Sequence, residues 1–201
     1  MSTLLKSLGL FTYERYLKRF EEWVKNGETS SLNPSQVLID FTKLNLARTH
    51  RIHKTISITD ALKKAVESLQ HSYTWIVITE AWCGDSAQNL PLIAELASLN
   101  PDKIKFYVLL RDENLELMDK YLTNGARAIP KLIAVNDTLE KDAFVWGPRP
   151  VNAQELLLHG KQIRQGKHGR GLKRNCMAGT QRIKRNRFSR NLFNYSIRLF
   201  N

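Results

Sequence analysis

Cysteine is scarce: the 201 residues hold two, Cys83 and Cys176. A disulfide framework is thereby excluded. In a reducing compartment a lone cysteine is either inert core filler or a reactive thiol. Long apolar runs are lacking as well. Trp75 to Ile78 is a representative run, far below the roughly 18 residues that suggest a membrane span. No basic segment followed by an apolar run and a small-residue cleavage site opens the chain, so a cytoplasmic location is the default expectation and no membrane partner is expected. Metal-ligand spacing is missing too. His50, His53 and His71 lie on polar segments, and neither a metal nor an organic cofactor is expected.

Acid is missing from one end of the chain. All 19 Asp and Glu residues precede His159, together with 19 of the 31 Lys and Arg residues. The formal charge of +12 therefore belongs to residues 159–201, not to the body. Such an asymmetry fits a nucleic-acid arm. It also fits a tail of different origin, read in a shifted frame from about His159. Three regions are expected: a helical extension over 1–57, an α/β domain over 58–158, and a disordered basic tail over 159–201.

What is present is patterned. Residues 11–24 carry Phe11, Tyr16, Phe20 and Trp23 near helical spacing with charged residues between them, which predicts an amphipathic helix. A turn-rich stretch from Gly27 to Pro34 follows. Residues 35–50 predict a second helix, with Val37, Leu38, Phe41, Leu44 and Leu46 as packing surface. Thr59 or Asp60 caps a third, with Leu62, Val66 and Leu69 on one face. From Thr74 to Thr79 the chain reads as a buried strand. Cys83 to Leu99 predicts a helix bent or interrupted near Pro91. Ile104–Leu110 is a second strand, and Asn114–Leu122 a helix stopped by Asn124 and Gly125. Two adjacent strands, Lys131–Val135 and Ala143–Trp146, and a helix beginning at Gln154–Leu158 complete an α/β pattern.

Cys83 falls at a strand-to-helix junction. The unpaired N–H groups and positive dipole end of a helix start favour a thiolate. They can lower a cysteine pKa from about 8.5 to roughly 3.5–7.5. The expectation is an exposed, fast-alkylating thiol. Gly84 is expected to let a partner backbone approach closely, and Ser86 to donate a hydrogen bond to the sulfur. Asp85 opposes the thiolate by its charge.

Trp82-Cys83-Gly84-Asp85-Ser86 resembles the thioredoxin active site, with Ser86 in place of the second cysteine. Ile129-Pro130, directly before a strand, resembles the cis-proline loop that faces that site. Ala81 to Pro91 and Trp146-Gly147-Pro148-Arg149-Pro150 are similar to an uncharacterised bacterial branch of the family with a helical N-terminal extension. The resemblance covers about residues 58–158. It implies a central mixed sheet flanked by helices. It implies Cys83 as nucleophile or attachment thiol, with Ser86 beside it. Trp82, Gly84, Asp85, Ile129 and Pro130 would shape the substrate surface. The buried carboxylate that thioredoxins carry six residues before the first cysteine is replaced by Val77.

Three functions follow as expectations. One is monothiol exchange through mixed disulfides with a protein or a low-molecular-weight thiol or disulfide. Another is a thioredoxin-shaped binding module with a silent Cys83. The third is nucleic-acid binding, which depends on the basic tail being genuine.

Overall fold

The computed structural model describes residues 9–138 and 141–150. The expected helix at Gln154–Leu158, the basic tail and Cys176 lie outside the described residues. The elements below belong to the first of two compact units, Met1–Pro148.

Helix α1 spans Tyr13–Asn26. Thr12 caps it, its hydroxyl accepting from the Arg15 amide at 3.3 Å, and Gly27 closes it in a left-handed conformation with φ 70°. Tyr16, Phe20 and Trp23 are buried as the periodicity predicted. Phe11 departs from the expected stripe. It forms an antiparallel bridge with Val108, with both N–H···O bonds at 2.9 Å, and so covers part of an otherwise open sheet edge.

Helix α2 spans Gln36–Thr55 and is capped by Ser35. Its apolar stripe is not the packing surface that the sequence suggested. Val37, Phe41 and Leu44 are 61%, 45% and 45% exposed, whereas Thr42, Asn45 and Thr49 are buried. The inward face is polar because it must satisfy polar groups beneath it. Thr42 pairs with Thr29 at 2.8 Å, and Asn45 reaches the backbone of the turn that carries Cys83. Helix α3 spans Asp60–Glu67 after Thr59 and buries Leu62 and Val66.

Strand β1, Tyr73–Thr79, is buried along its whole length. It lies inside a four-stranded sheet ordered β2-β1-β3-β4. Here β2 is Ile104–Leu110, β3 is Lys131–Asn136 and β4 is Lys141–Trp146. The β1–β2 pair is parallel; the other two pairs are antiparallel. A central strand covered on both faces needs a continuous apolar run rather than alternation, as Trp75–Ile78 provides. The sheet is mixed and flanked by helices, as the resemblance implied.

Helix α4, Gly84–Ser98, contains Pro91; of the expected bend or interruption there, the interruption does not occur. The single helix read over Asn114–Leu122 is a four-residue helix α5, Leu115–Met118, followed by a 3-10 turn, Asp119–Tyr121. One face of the sheet gathers Ile76, Ile78, Leu109, Met118, Ile133 and Val135 into a cluster that also holds Cys83 and Ile129. Each such aliphatic side chain contributes about 1.5–3 kcal/mol on burial. The thiol is therefore rooted in the core. Among the described residues no helix is long and apolar enough to cross a membrane.

Candidate functional site

Cys83 is the N-cap residue of α4, with extended backbone angles φ −80° and ψ 113°. Its amide donates to Glu80 O at 3.0 Å, and its carbonyl accepts from the Ala87 amide at 3.1 Å. The strand–cysteine–helix junction is thus where the sequence put it. The exposure is not. Cys83 is only 8% exposed, and its Sγ donates to the Ile129 carbonyl at 3.4 Å. That bond favours the neutral thiol.

The electrostatics correct the expected low pKa. Burial pushes the Cys83 thiol up. The Ser86 hydroxyl and amide and the Asp85 amide pull down, the Asp85 charge pushes up, and the result lies above the ordinary cysteine value. Desolvation outweighs the helix start because the sulfur faces the cluster and not water. Ser86 is buried, and its Oγ makes no hydrogen bond of ordinary geometry among the described residues. The polar group it acts on is the Cys83 sulfur.

The remaining site residues surround this pair. The Arg111 guanidinium lies 4.9 Å from the centre of the Trp82 ring and is pinned by Asp112 through bonds of 2.6 and 2.9 Å. Ile129 and Pro130 are buried on the other side of the sulfur, joined by a cis peptide. Gly84 is partly exposed, and one side of it is occupied. A Cβ there would sit 3.2 Å from Arg48 Nη1 and 3.8 Å from Asn45 Oδ1, so the protein's own α2 fills that side. Asp85 is half-buried, and its carbonyl accepts from Asn89 Nδ2 at 2.7 Å. Gly147, which follows β4, is pressed on the Pro130 carbonyl: a Cβ added there would lie 2.1 Å from that oxygen.

One group was missed in the sequence. Val77 is fully buried and offers no carboxylate, but Glu80, three residues before Cys83, is itself completely buried. Ser30 Oγ donates to Glu80 Oε2, and the Asp112 amide donates to Oε1 at 2.8 Å. Burial carries the Glu80 pKa up to about 7 against these bonds. The signal was faint: a single acid closing the apolar run that starts at Tyr73. Its partner Ser30 lies fifty residues away and could not be paired by pattern. Lys131, next to Pro130, is also buried. Its Nζ donates to Thr123 Oγ1, and burial lowers its pKa.

The family model described as Thioredoxin matches residues 31–165. The chain belongs to the thioredoxin family. The match takes in α2 as well as the sheet, so this thioredoxin-family domain includes a helix that contributes to the cysteine loop. No curated protein matches the chain. Among the solved structures similar at low identity are two. One is an HIV epitope-scaffold, 17% identical over 73% of this chain and 81% of its own, with a TM-score of 0.47. The other is a protein of unknown function from Pseudomonas aeruginosa, 16% identical over 78% of this chain and 86% of its own, also with a TM-score of 0.47.

Proposed function

We propose that this thioredoxin-family protein performs thiol–disulfide exchange through Cys83 alone. The observation that carries the reading is the position of Sγ, at the first turn of α4, beside the Ser86 hydroxyl and bonded to the Ile129 carbonyl. The Cys83 thiol first loses its proton to solvent. The thiolate, stabilised by Ser86, attacks one sulfur of a partner disulfide. The partner S–S bond breaks, a new S–S bond to Cys83 forms, and the released thiolate takes a proton. A second thiol, from a protein or a small molecule, reverses the step and regenerates Cys83. No second cysteine lies beside Cys83 among the described residues, and in this reading the external thiol resolves the mixed disulfide. The proposed setting is a reducing, cytoplasmic one.

The raised pKa makes the resting form a thiol, so exchange is slow at neutral pH and quickens as the pH rises. The test uses the Cys176→Ser chain with oxidised glutathione at pH 8. The expected result is one glutathione adduct, mapped to Cys83 by mass spectrometry and removed by dithiothreitol. No adduct under conditions that label an unfolded peptide of the same sequence would favour the second reading, a redox-silent binding module. Burial of Cys83 is the specific observation on that side.

Ser86→Cys supplies an independent check. The substituted sulfur would occupy the place of the buried Ser86 hydroxyl, within reach of Cys83. Mild oxidation is expected to close an internal disulfide, seen as loss of two hydrogens and of both free thiols. A variant that keeps both thiols free would show that residue 86 does not face Cys83.

A further inference from the structure

The geometry points to the segment before the sheet as the device that sets Cys83 reactivity: Ser30 and Asn45 are positioning residues that hold the Ala81 backbone, and Glu80 anchors Ser30. This inference rests on the reading of Cys83 as an exchange thiol.

Ala81 stands in the four-residue turn that delivers Cys83 from β1 to α4. Both of its backbone polar groups are taken by side chains from the N-terminal segment. Its amide donates to Ser30 Oγ at 2.9 Å. Its carbonyl accepts from Asn45 Nδ2 at 3.2 Å. Asn45 is fixed in turn by Arg48, whose Nη1 donates to Asn45 Oδ1 at 2.9 Å, and the same Nη1 covers Gly84. Ser30 donates its own hydroxyl hydrogen bond to Glu80 Oε2. Ser30, Asn45 and Glu80 are all buried, so water cannot replace a lost partner. The chain of bonds runs from α2 and the loop after α1, through the two peptide groups that flank the Ala81 α-carbon, to the residue that caps α4.

This arrangement links the thiol to the charge on Glu80. The groups facing that carboxyl are Ser30 from the α1–α2 loop, Arg111 and Asp112 from the end of β2, and Tyr16 from α1. The Asp112 charge repels a Glu80 carboxylate, and Arg111 attracts it. As a neutral acid Glu80 sits in its buried place without the cost of a desolvated charge, and Ser30 stays aligned to receive the Ala81 amide. Once ionised it is better solvated with the turn open than buried beneath it, because burial outweighs the bonds from Ser30 and the Asp112 amide. The turn then opens more often, and Cys83 with it.

The experiment measures Cys83 alkylation by iodoacetamide on the full Cys176→Ser chain between pH 5.5 and 8.5. Each rate is divided by the thiolate fraction found from the ultraviolet absorbance of the thiolate. In the parent, the normalised rate is expected to rise as the pH rises through about 7. Glu80→Gln keeps the shape of the neutral acid, and its normalised rate is expected to be flat. Ser30→Ala is expected to raise the rate about tenfold, the effect of losing one buried hydrogen bond, and Ser30→Thr to restore it. Asn45→Ala should act in the same direction. If Ser30→Ala does not fold, the Glu80→Gln profile and the Ser30→Thr rate still decide. A parent that cannot be alkylated when folded would sink the exchange reading itself. A parent that reacts, with pH profiles superimposable in Glu80→Gln, would overturn this inference alone.

Discussion

Gly147→Ala is expected to unfold much of the protein under conditions where the parent is folded. Two costs act together. Gly147 has φ 121°, a conformation that side chains rarely adopt, and such strain costs about 1–3 kcal/mol. The added Cβ would also lie 2.1 Å from the Pro130 carbonyl oxygen, 3.1 Å from its carbon and 3.3 Å from Lys131 Cα. These are backbone atoms at the start of β3, so no flexible side chain can yield. β4 must lift from β3 or the Ile129–Pro130 loop must move away from Cys83. The sum is about 4–5 kcal/mol, at the exceptional end for a single substitution and comparable with a whole domain stability of about 5–15 kcal/mol. Gly27→Ala is the control. Gly27 also has positive φ, at 70°, but nothing lies within 4 Å of its Cβ position, and about 1 kcal/mol is expected. Urea unfolding of both variants beside the parent checks the contrast. Equal losses would mean that the turn after β4 does not rest on the proline loop.

The same contact shows how far the sequence could be read. Strand β2 was legible to the residue, Ile104–Leu110, because a β-branched and aromatic run bounded by polar residues has one interpretation at that length. β1 and the Cys83 junction were legible for the same reason. Helix α2 was legible as a helix, but its buried face was not. Periodicity reports where apolar residues recur, and on α2 they recur on the side away from the sheet. The inward residues, Thr42 and Asn45, are chosen by partners distant in sequence, Thr29 and the Ala81 carbonyl. Cys83 misled in a similar way. A helix start argues for a thiolate, and that argument is local. The burial that reverses it comes from Ile129, Met118 and other residues brought in by tertiary packing. Asn45, which reaches the Ala81 carbonyl, is fixed by Arg48 on the same helix, a link that no spacing pattern to Cys83 reveals. In each case the local physics was sound, and a long-range contact outweighed it.

Glu80 gives the second large effect, through pH. Folding raises its pKa from 4.5 to about 7. Between those values the folded protein keeps a proton that the unfolded chain has released. The stability due to neutral Glu80 is therefore full below the unfolded pKa and is lost as the pH rises through 7. The gap sets an upper limit of about 3 kcal/mol at 1.36 kcal/mol per unit. Relaxation around the buried carboxylate lowers the observable part, so a loss of about 1–3 kcal/mol between pH 5 and pH 8 is expected. Other groups titrate in or near this interval. Burial lowers the pKa of His53, which contributes a change of opposite sign. Comparing the parent with Glu80→Gln cancels such contributions, since only residue 80 differs. Glutamine can still accept from the Asp112 amide and donate to Ser30 Oγ. The difference in unfolding free energy, Gln minus parent, is expected to grow in favour of glutamine as the pH rises from 5 to 8. It should level off above pH 8, where Glu80 is ionised in both states. Chemical denaturation at four or five pH values measures it. Parallel curves for the two proteins would show that the Glu80 carboxyl titrates alike in the folded and unfolded chain, and the buried acid beneath the cysteine turn would have no part in its stability.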